Sequence, residues 1–192
     1  LNIFEPPNCR KSNKSQCDCI NCLKRFAMDL RKGKLPMTKI VVEQIVEAPV
    51  AEVWKSWDNF GNIASFNPNL KASFLLEGSA KSGLGAQRQC DMSDGKNYLR
   101  EEVIEYVPEE KLVINIFEAT IPMKSGTATF ELTPVGKGRT QVRMTMNMVP
   151  KMGVVGAMLL GAMKPKFKAM LQDLLRGNAA FVEQGTVINA AA

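Results

Sequence analysis

From Leu70 to Val149 the chain is a run of strand-length segments separated by little more than turn residues, and this run limits the fold more than any other feature. Leu70 to Glu77, Ala86 to Ser93, Tyr98 to Val107, Lys111 to Ala119, Thr127 to Val135 and Thr140 to Val149 each have the length of a β-strand. Asp94-Gly95 reads as a two-residue hairpin turn, Pro108-Glu109-Glu110 as a reversal, and Gly136-Lys137-Gly138 as the close of the last hairpin. Connections this short suit antiparallel neighbours, because a parallel crossover needs a dozen or more residues.

The flanks complete the pattern. Lys39 to Glu47 alternates apolar and polar residues and stops at Ala48-Pro49, which predicts a first strand and seven in all. Val50, Val53, Trp54 and Trp57 follow at helical spacing, so Val50 to Trp57 predicts a short amphipathic helix packed by its tryptophans. A second short helix is predicted from Asn59 to Phe66, ending before Asn67-Pro68. Beyond the strands, Phe167, Met170, Leu171, Leu174, Leu175 and Phe181 share one face of a long helix over Lys164 to Gln184. Pro165 falls in its first turn and Gly185 just past its end.

Charge divides the chain in two. Residues 1–36 hold 8 of the 25 Lys and Arg but 3 of the 19 Asp and Glu, a balance of +5 out of the total +6. The remainder is close to neutral, so no nucleic-acid partner is expected for the main domain. The domains are therefore read as a basic, cysteine-rich leader over 1–36, an upstream extension or disordered tail, and a folded domain over 37–192; Met37 would serve as a natural start. Four of the five cysteines, Cys9, Cys17, Cys19 and Cys22, lie in the leader. Thiolates at short spacing can close a tetrahedral zinc site, but this C-x-C-x₂-C cluster lacks the paired C-x₂-C arrangement of zinc ribbons, so no metal is expected. Histidine is absent, which removes the commonest metal ligand and the commonest general base. No segment has the length of a membrane-spanning helix, the leader lacks signal-peptide character, and a cytoplasmic protein is expected.

Certain residues carry a resemblance. Ala48-Pro49-Val50-Ala51-Glu52-Val53-Trp54, Asn59-Phe60-Gly61-Asn62-Ile63, Glu101-Glu102-Val103-Ile104-Glu105-Tyr106-Val107-Pro108 and Gly136-Lys137-Gly138-Arg139-Thr140 occur in the order of the START-like, or Bet v 1-like, superfamily. Locally the chain resembles the polyketide cyclase/dehydrase and lipid-transport branch, over nearly all of residues 39–184. That resemblance implies an α+β helix-grip fold: a curved seven-stranded antiparallel sheet wrapped around a long C-terminal helix, two short helices after strand 1, and a cavity between sheet and helix. It implies a container and not a particular reaction.

Strand parity populates such a cavity. Val142, Met144, Met146 and Met148 share one face of the last strand, with Met123, Met158, Met163 and Met170 as further thioethers. Methionine is flexible and polarizable, and a wall rich in it adapts to ligands of irregular shape. Arg88 shares parity with Ala86, Cys90 and Met92, and Glu101 with Leu99 and Val103, so the two charges are expected to face each other inside. The pair reads either as a structural ion pair or as a hold for a ligand carboxylate or hydroxyl. Trp57, Phe60, Phe66, Phe74, Phe117 and Phe167 complete the ligand-binding candidates. Cys90, without a His partner, reads as a small hydrophobe.

Three functions compete. The first is binding or carriage of a small hydrophobic ligand, a lipid, isoprenoid or polyketide-like molecule, with no cofactor. Next comes a cyclase or dehydratase with Glu101, Arg88 and Tyr98 as the candidate catalytic groups, and last a sensing module recruited through its leader. Residues 152–168 are apolar with glycines at 153, 156 and 161, then basic at Lys164, Lys166 and Lys168. They are a candidate gate and a candidate contact with anionic membrane, and Met152 to Met163 reads alternatively as the first turns of the terminal helix packed on the sheet.

Overall fold

Turn chemistry sets the order of the strands, and each predicted turn joins antiparallel neighbours in the computed structural model, which describes residues 37–189. The elements are β1 (Thr38–Val46), α1 (Val50–Asp58), a 3₁₀ segment (Phe60–Ser65), β2 (Leu70–Leu75), β3 (Gln87–Met92), β4 (Tyr98–Val107), β5 (Lys111–Ala119), β6 (Met123–Pro134), β7 (Thr140–Pro150) and α2 (Gly153–Gln184). The seven strands form one antiparallel sheet in the order β1-β7-β6-β5-β4-β3-β2, so β1 crosses over to pair with the last strand and every other neighbour follows along the chain. This is the helix-grip α+β architecture.

Three details differ from the sequence reading. The β3–β4 connection is not a two-residue turn. Asp94 Oδ1 accepts hydrogen bonds from the backbone N–H groups of Lys96 and Asn97, both at 2.9 Å, and its Oδ2 accepts from Asn97 Nδ2 at 2.6 Å. This side-chain cap holds a wider loop, in which Gly95 supplies a φ of 68°. Strand β6 starts at Met123, four residues before the expected Thr127, because Met123 and Ser125 pair with Pro150 and Val149 across an irregularity in the ladder.

The terminal helix shows the largest difference. It begins at Gly153 and runs for 32 residues, so Pro165 lies inside it rather than in its first turn. Proline has no N–H to give to Gly161, four residues back, and the exposed position of Gly161 leaves that carbonyl to water. The helix ends as expected, with Gly185 at φ 68° donating to the Phe181 carbonyl at 3.0 Å.

At one end aromatic side chains fill the space between helix and sheet. Trp57 lies 4.4 Å from the Phe130 ring and 5.2 Å from Phe66, and Phe66 lies 5.5 Å from Phe181, measured between centroids. Asn178 of α2, fully buried, donates to Ser56 Oγ at 2.7 Å, and Ser56 donates in turn to the Val53 carbonyl. Gly177 permits this approach. Beyond that end of the helix, Ile188 N–H bonds to the Ser65 carbonyl at 2.8 Å and ties the tail to the 3₁₀ segment.

Candidate functional site

Toward the other end the helix and sheet part. Strand alternation brings Leu99 and Glu101 of β4, Ile114 and Ile116 of β5 and Ala128 and Phe130 of β6 to the inner face, and α2 covers them with Phe167, Met170, Leu171 and Leu174. The space enclosed is about 110 Å³. Four residues, Arg88, Glu101, Asn67 and Asn69, bring polar side chains to a wall that is otherwise apolar. Asn69 Nδ2 donates to the Met170 carbonyl at 2.9 Å, pinning α2 to the loop after the 3₁₀ segment. Met144, Met146 and Met148 of β7, together with Met92, Met123 and Met170, give the cavity six thioethers. A rigid apolar void of about 150 Å³ accepts benzene, so larger ligands require this wall to move, and unbranched thioether side chains move at small cost.

The charged pair is built by register. Arg88 of β3 and Glu101 of β4 are direct cross-strand partners. Arg88 Nε donates to Glu101 Oε2 at 2.7 Å, Nη2 lies 2.6 Å from the same oxygen, and Nη1 donates to the Phe60 carbonyl at 2.8 Å. The guanidinium also stacks 4.0 Å from the centroid of the Phe60 ring. Arg88 is 4 % exposed and Glu101 7 %. Burial acts to lower the guanidinium pKa, but the Glu101 charge and its hydrogen bonds, joined by Cys90, outweigh it and hold the pKa above its ordinary value. The Cys90 thiol, 3.7 Å from Glu101 Oε2, is pushed up by burial and then by the Glu101 charge, so it stays protonated and is a poor nucleophile.

The sequence candidates separate into three sets. Arg88, Cys90, Glu101, Met144, Met146, Phe167 and Met170 meet at the cavity. Trp57, Phe60 and Phe66 are buried but belong to the packed end or lie behind Arg88, and none lines the cavity. Tyr98, Phe74, Phe117, Met158 and Met163 are corrections. Tyr98 has the parity opposite to Glu101; on the outer face its hydroxyl donates to Glu118, whose second oxygen accepts from Arg100 at 2.9 Å. Phe117 is opposite in parity to Ile116 and is 43 % exposed. In β2 an irregularity between Leu70 and Ala72 puts Ser73 inside and Phe74 outside. Met158 and Met163 lie on the exposed side of α2.

Ile63, Asn67, Asn69, Leu70 and Ile121 line the cavity from connecting segments or a strand end, where periodicity gives no signal. Cys9, Cys17, Cys19 and Cys22 lie outside the described residues. Among the described residues no cluster of three His, Cys, Asp or Glu could hold a metal, and no helix is long and apolar enough to cross a membrane.

A helix gripped by an antiparallel sheet over an internal apolar cavity defines a class of ligand-cavity proteins. The chain belongs to the polyketide cyclase/dehydrase and lipid transport family, whose model matches residues 37–183. No curated protein matches it in sequence. Solved structures share the fold at low identity. A Thermus thermophilus protein, TTHA0849, is 16 % identical with a TM-score of 0.65, covering 78 % of this chain and 99 % of its own. Norcoclaurine synthase from Thalictrum flavum, solved with dopamine and hydroxybenzaldehyde, is 14 % identical with a TM-score of 0.61, covering 78 % and 88 %. A Streptomyces aromatase/cyclase is 16 % identical with a TM-score of 0.61, covering 78 % and 98 %.

Proposed function

We propose that this protein binds and carries a small hydrophobic molecule in the cavity between the sheet and α2. The observation that carries this reading is the wall itself: a methionine-rich apolar lining around one buried, internally neutralised ion pair. Such a wall gains affinity by removing apolar ligand surface from water, worth about 25 cal/mol per Å² before the costs of binding are subtracted. Norcoclaurine synthase and the aromatase/cyclase indicate that this architecture also accommodates catalysis. In this chain the cavity carboxylate, Glu101, is engaged by Arg88, and Tyr98 stands on the opposite face of the sheet, which favours carriage. The test is organic extraction of freshly purified protein followed by mass spectrometry, together with titration of delipidated protein with a fluorescent apolar probe. A stoichiometric hydrophobic molecule, or saturable one-site probe binding, is expected. Protein that neither retains nor takes up such a molecule would overturn the reading.

A second observation favours a membrane as the place of exchange. Val155, Met158, Leu159 and Met163 are all exposed on the first part of α2, as is Met152 just before it, and Lys164, Lys166 and Lys168 follow on exposed positions. Apolar side chains beside a row of ammonium groups match an anionic lipid surface. Flotation with phosphatidylserine-containing vesicles is the test. Salt-sensitive association is expected, and equal behaviour with neutral vesicles would remove the membrane contact while leaving the carrier reading intact.

A further inference from the structure

Glu101 uses its two oxygens unequally. Oε2 takes Arg88 Nε at 2.7 Å, Arg88 Nη2 at 2.6 Å and the Cys90 thiol at 3.7 Å. Oε1 accepts no hydrogen bond among the described residues. Among the described residues the sealed side-chain atoms without a partner are Trp57 Nε1 and Asn178 Oδ1, neither of them from Glu101. Oε1 is thus unpaired without being sealed, on a side chain 9 % exposed that lines the cavity, and this places it on the cavity surface. A carboxylate oxygen in an apolar enclosure is a strong acceptor without a donor, a condition that costs free energy until something supplies one. Arg88 presents a different case. Its Nε and Nη2 lie on Glu101 and its Nη1 on the Phe60 carbonyl, which leaves one N–H on each Nη, but its charge is already balanced by Glu101.

We propose that the cavity selects a ligand whose polar end is a hydrogen-bond donor, an alcohol, phenol or amine, docked on Glu101 Oε1, and that it rejects carboxylates. A ligand carboxylate entering here would face Oε1 as a second anion at short range and leave an uncompensated charge in an apolar cavity, because Glu101 already balances the guanidinium. An O–H group satisfies the free oxygen and leaves the ion pair undisturbed. The apolar remainder of the ligand lies against Met144, Met146 and Phe167. This inference rests on the carrier reading and adds to it the chemistry of the recognised end.

Calorimetric titration of the intact protein with 1-octanol, 2-octanone and octanoate tests both. The alcohol is expected to bind at least about tenfold more tightly than the ketone, the difference made by a hydrogen bond to a charged acceptor, and octanoate most weakly. In Glu101→Gln the side-chain oxygen must still accept from Arg88, so the amide NH₂ turns to the cavity and the ketone should overtake the alcohol. Wild-type protein binding all three without preference, or preferring octanoate, overturns the donor selection but not the carrier function. Failure to bind any of them overturns both. The wild-type order decides by itself if the variant does not fold, and an unchanged order in a folded variant overturns the assignment to Oε1.

Discussion

Gly177 of α2 lies so close to the end of the 3₁₀ segment that a Cβ on it would stand 1.9 Å from the carbonyl oxygen of Phe66. The contact sets the distance between the terminal helix and the segment that closes the packed end. Gly177→Ala gains roughly 1 kcal/mol of helix propensity, but the clash is with backbone and cannot be relieved by a rotamer change. A net loss of about 3 kcal/mol or more is expected, at or beyond the upper end of ordinary overpacking. Urea denaturation followed by circular dichroism measures it, and stability equal to wild type would show that the helix can step away.

Arg88 and Glu101 are worth more together than either is alone. Truncating one, as in Arg88→Met, leaves an uncompensated charge in the interior and is expected to cost about 3–5 kcal/mol. The double change Arg88→Met with Glu101→Leu removes both charges and should be more stable than either single variant, since replacing a buried pair by apolar side chains is often neutral. A double-mutant cycle in urea gives the coupling directly, and additive single effects would contradict it.

Filling the cavity separates binding from folding. Ala128 is buried on β6 and lines the cavity, so Ala128→Leu places its new methyl groups in space already empty. Uptake of an apolar fluorescent probe should fall at least tenfold while stability changes by about 1–2 kcal/mol. Undiminished uptake would put the binding site elsewhere.

The β3–β4 loop carries a pH dependence of definite sign. Asn97's side chain, then the amides of Lys96 and Asn97, lower the Asp94 carboxyl from 3.8 to about 2. A carboxyl depressed in the folded state contributes stability above its unfolded pKa, about 3.9, and loses that contribution as pH falls through the folded value. Side-chain carboxyl NMR of Asp94 should therefore titrate near 2 in wild type and return toward 3.8 in Asn97→Ala.

Exposed apolar residues on α2 can be changed without touching the core. Met158 is 69 % exposed and Leu159 50 %, so Met158→Glu with Leu159→Glu should alter stability by no more than about 0.5 kcal/mol per site. Association with anionic vesicles should fall at least tenfold, and retention of binding would move the contact to another face.

Much of this architecture was written in local chemistry. Alternation assigned Arg88, Cys90, Glu101, Met144 and Met146 to one face of the sheet, and the register then carried them to one cavity. The same rule, followed strictly, separates Tyr98 from Glu101 and Phe117 from Ile116. Phe74 escapes it because the irregularity in β2 shifts the alternation. Contacts set by the close approach of distant segments had no local signal. Gly177 against Phe66 is one, and Asn69 on the Met170 carbonyl is another. The start of α2 has two readings in the sequence, because Gly153, Gly156, Gly161 and Pro165 all count against helix by propensity, and the structure makes residues 153–163 its first turns.

Pro165 also limits how far fraying can travel. Unwinding that begins at Gly153 propagates by breaking successive backbone bonds, and at Gly161 there is no bond from residue 165 to break. The two halves of the helix are therefore expected to open separately. The amides of 153–164 should exchange with deuterium as one early group, while those near Leu174 and Asn178 exchange only when the whole domain opens. That outcome would make the ring of one residue the boundary between the exposed, lysine-flanked end of the helix and the end that holds the fold together.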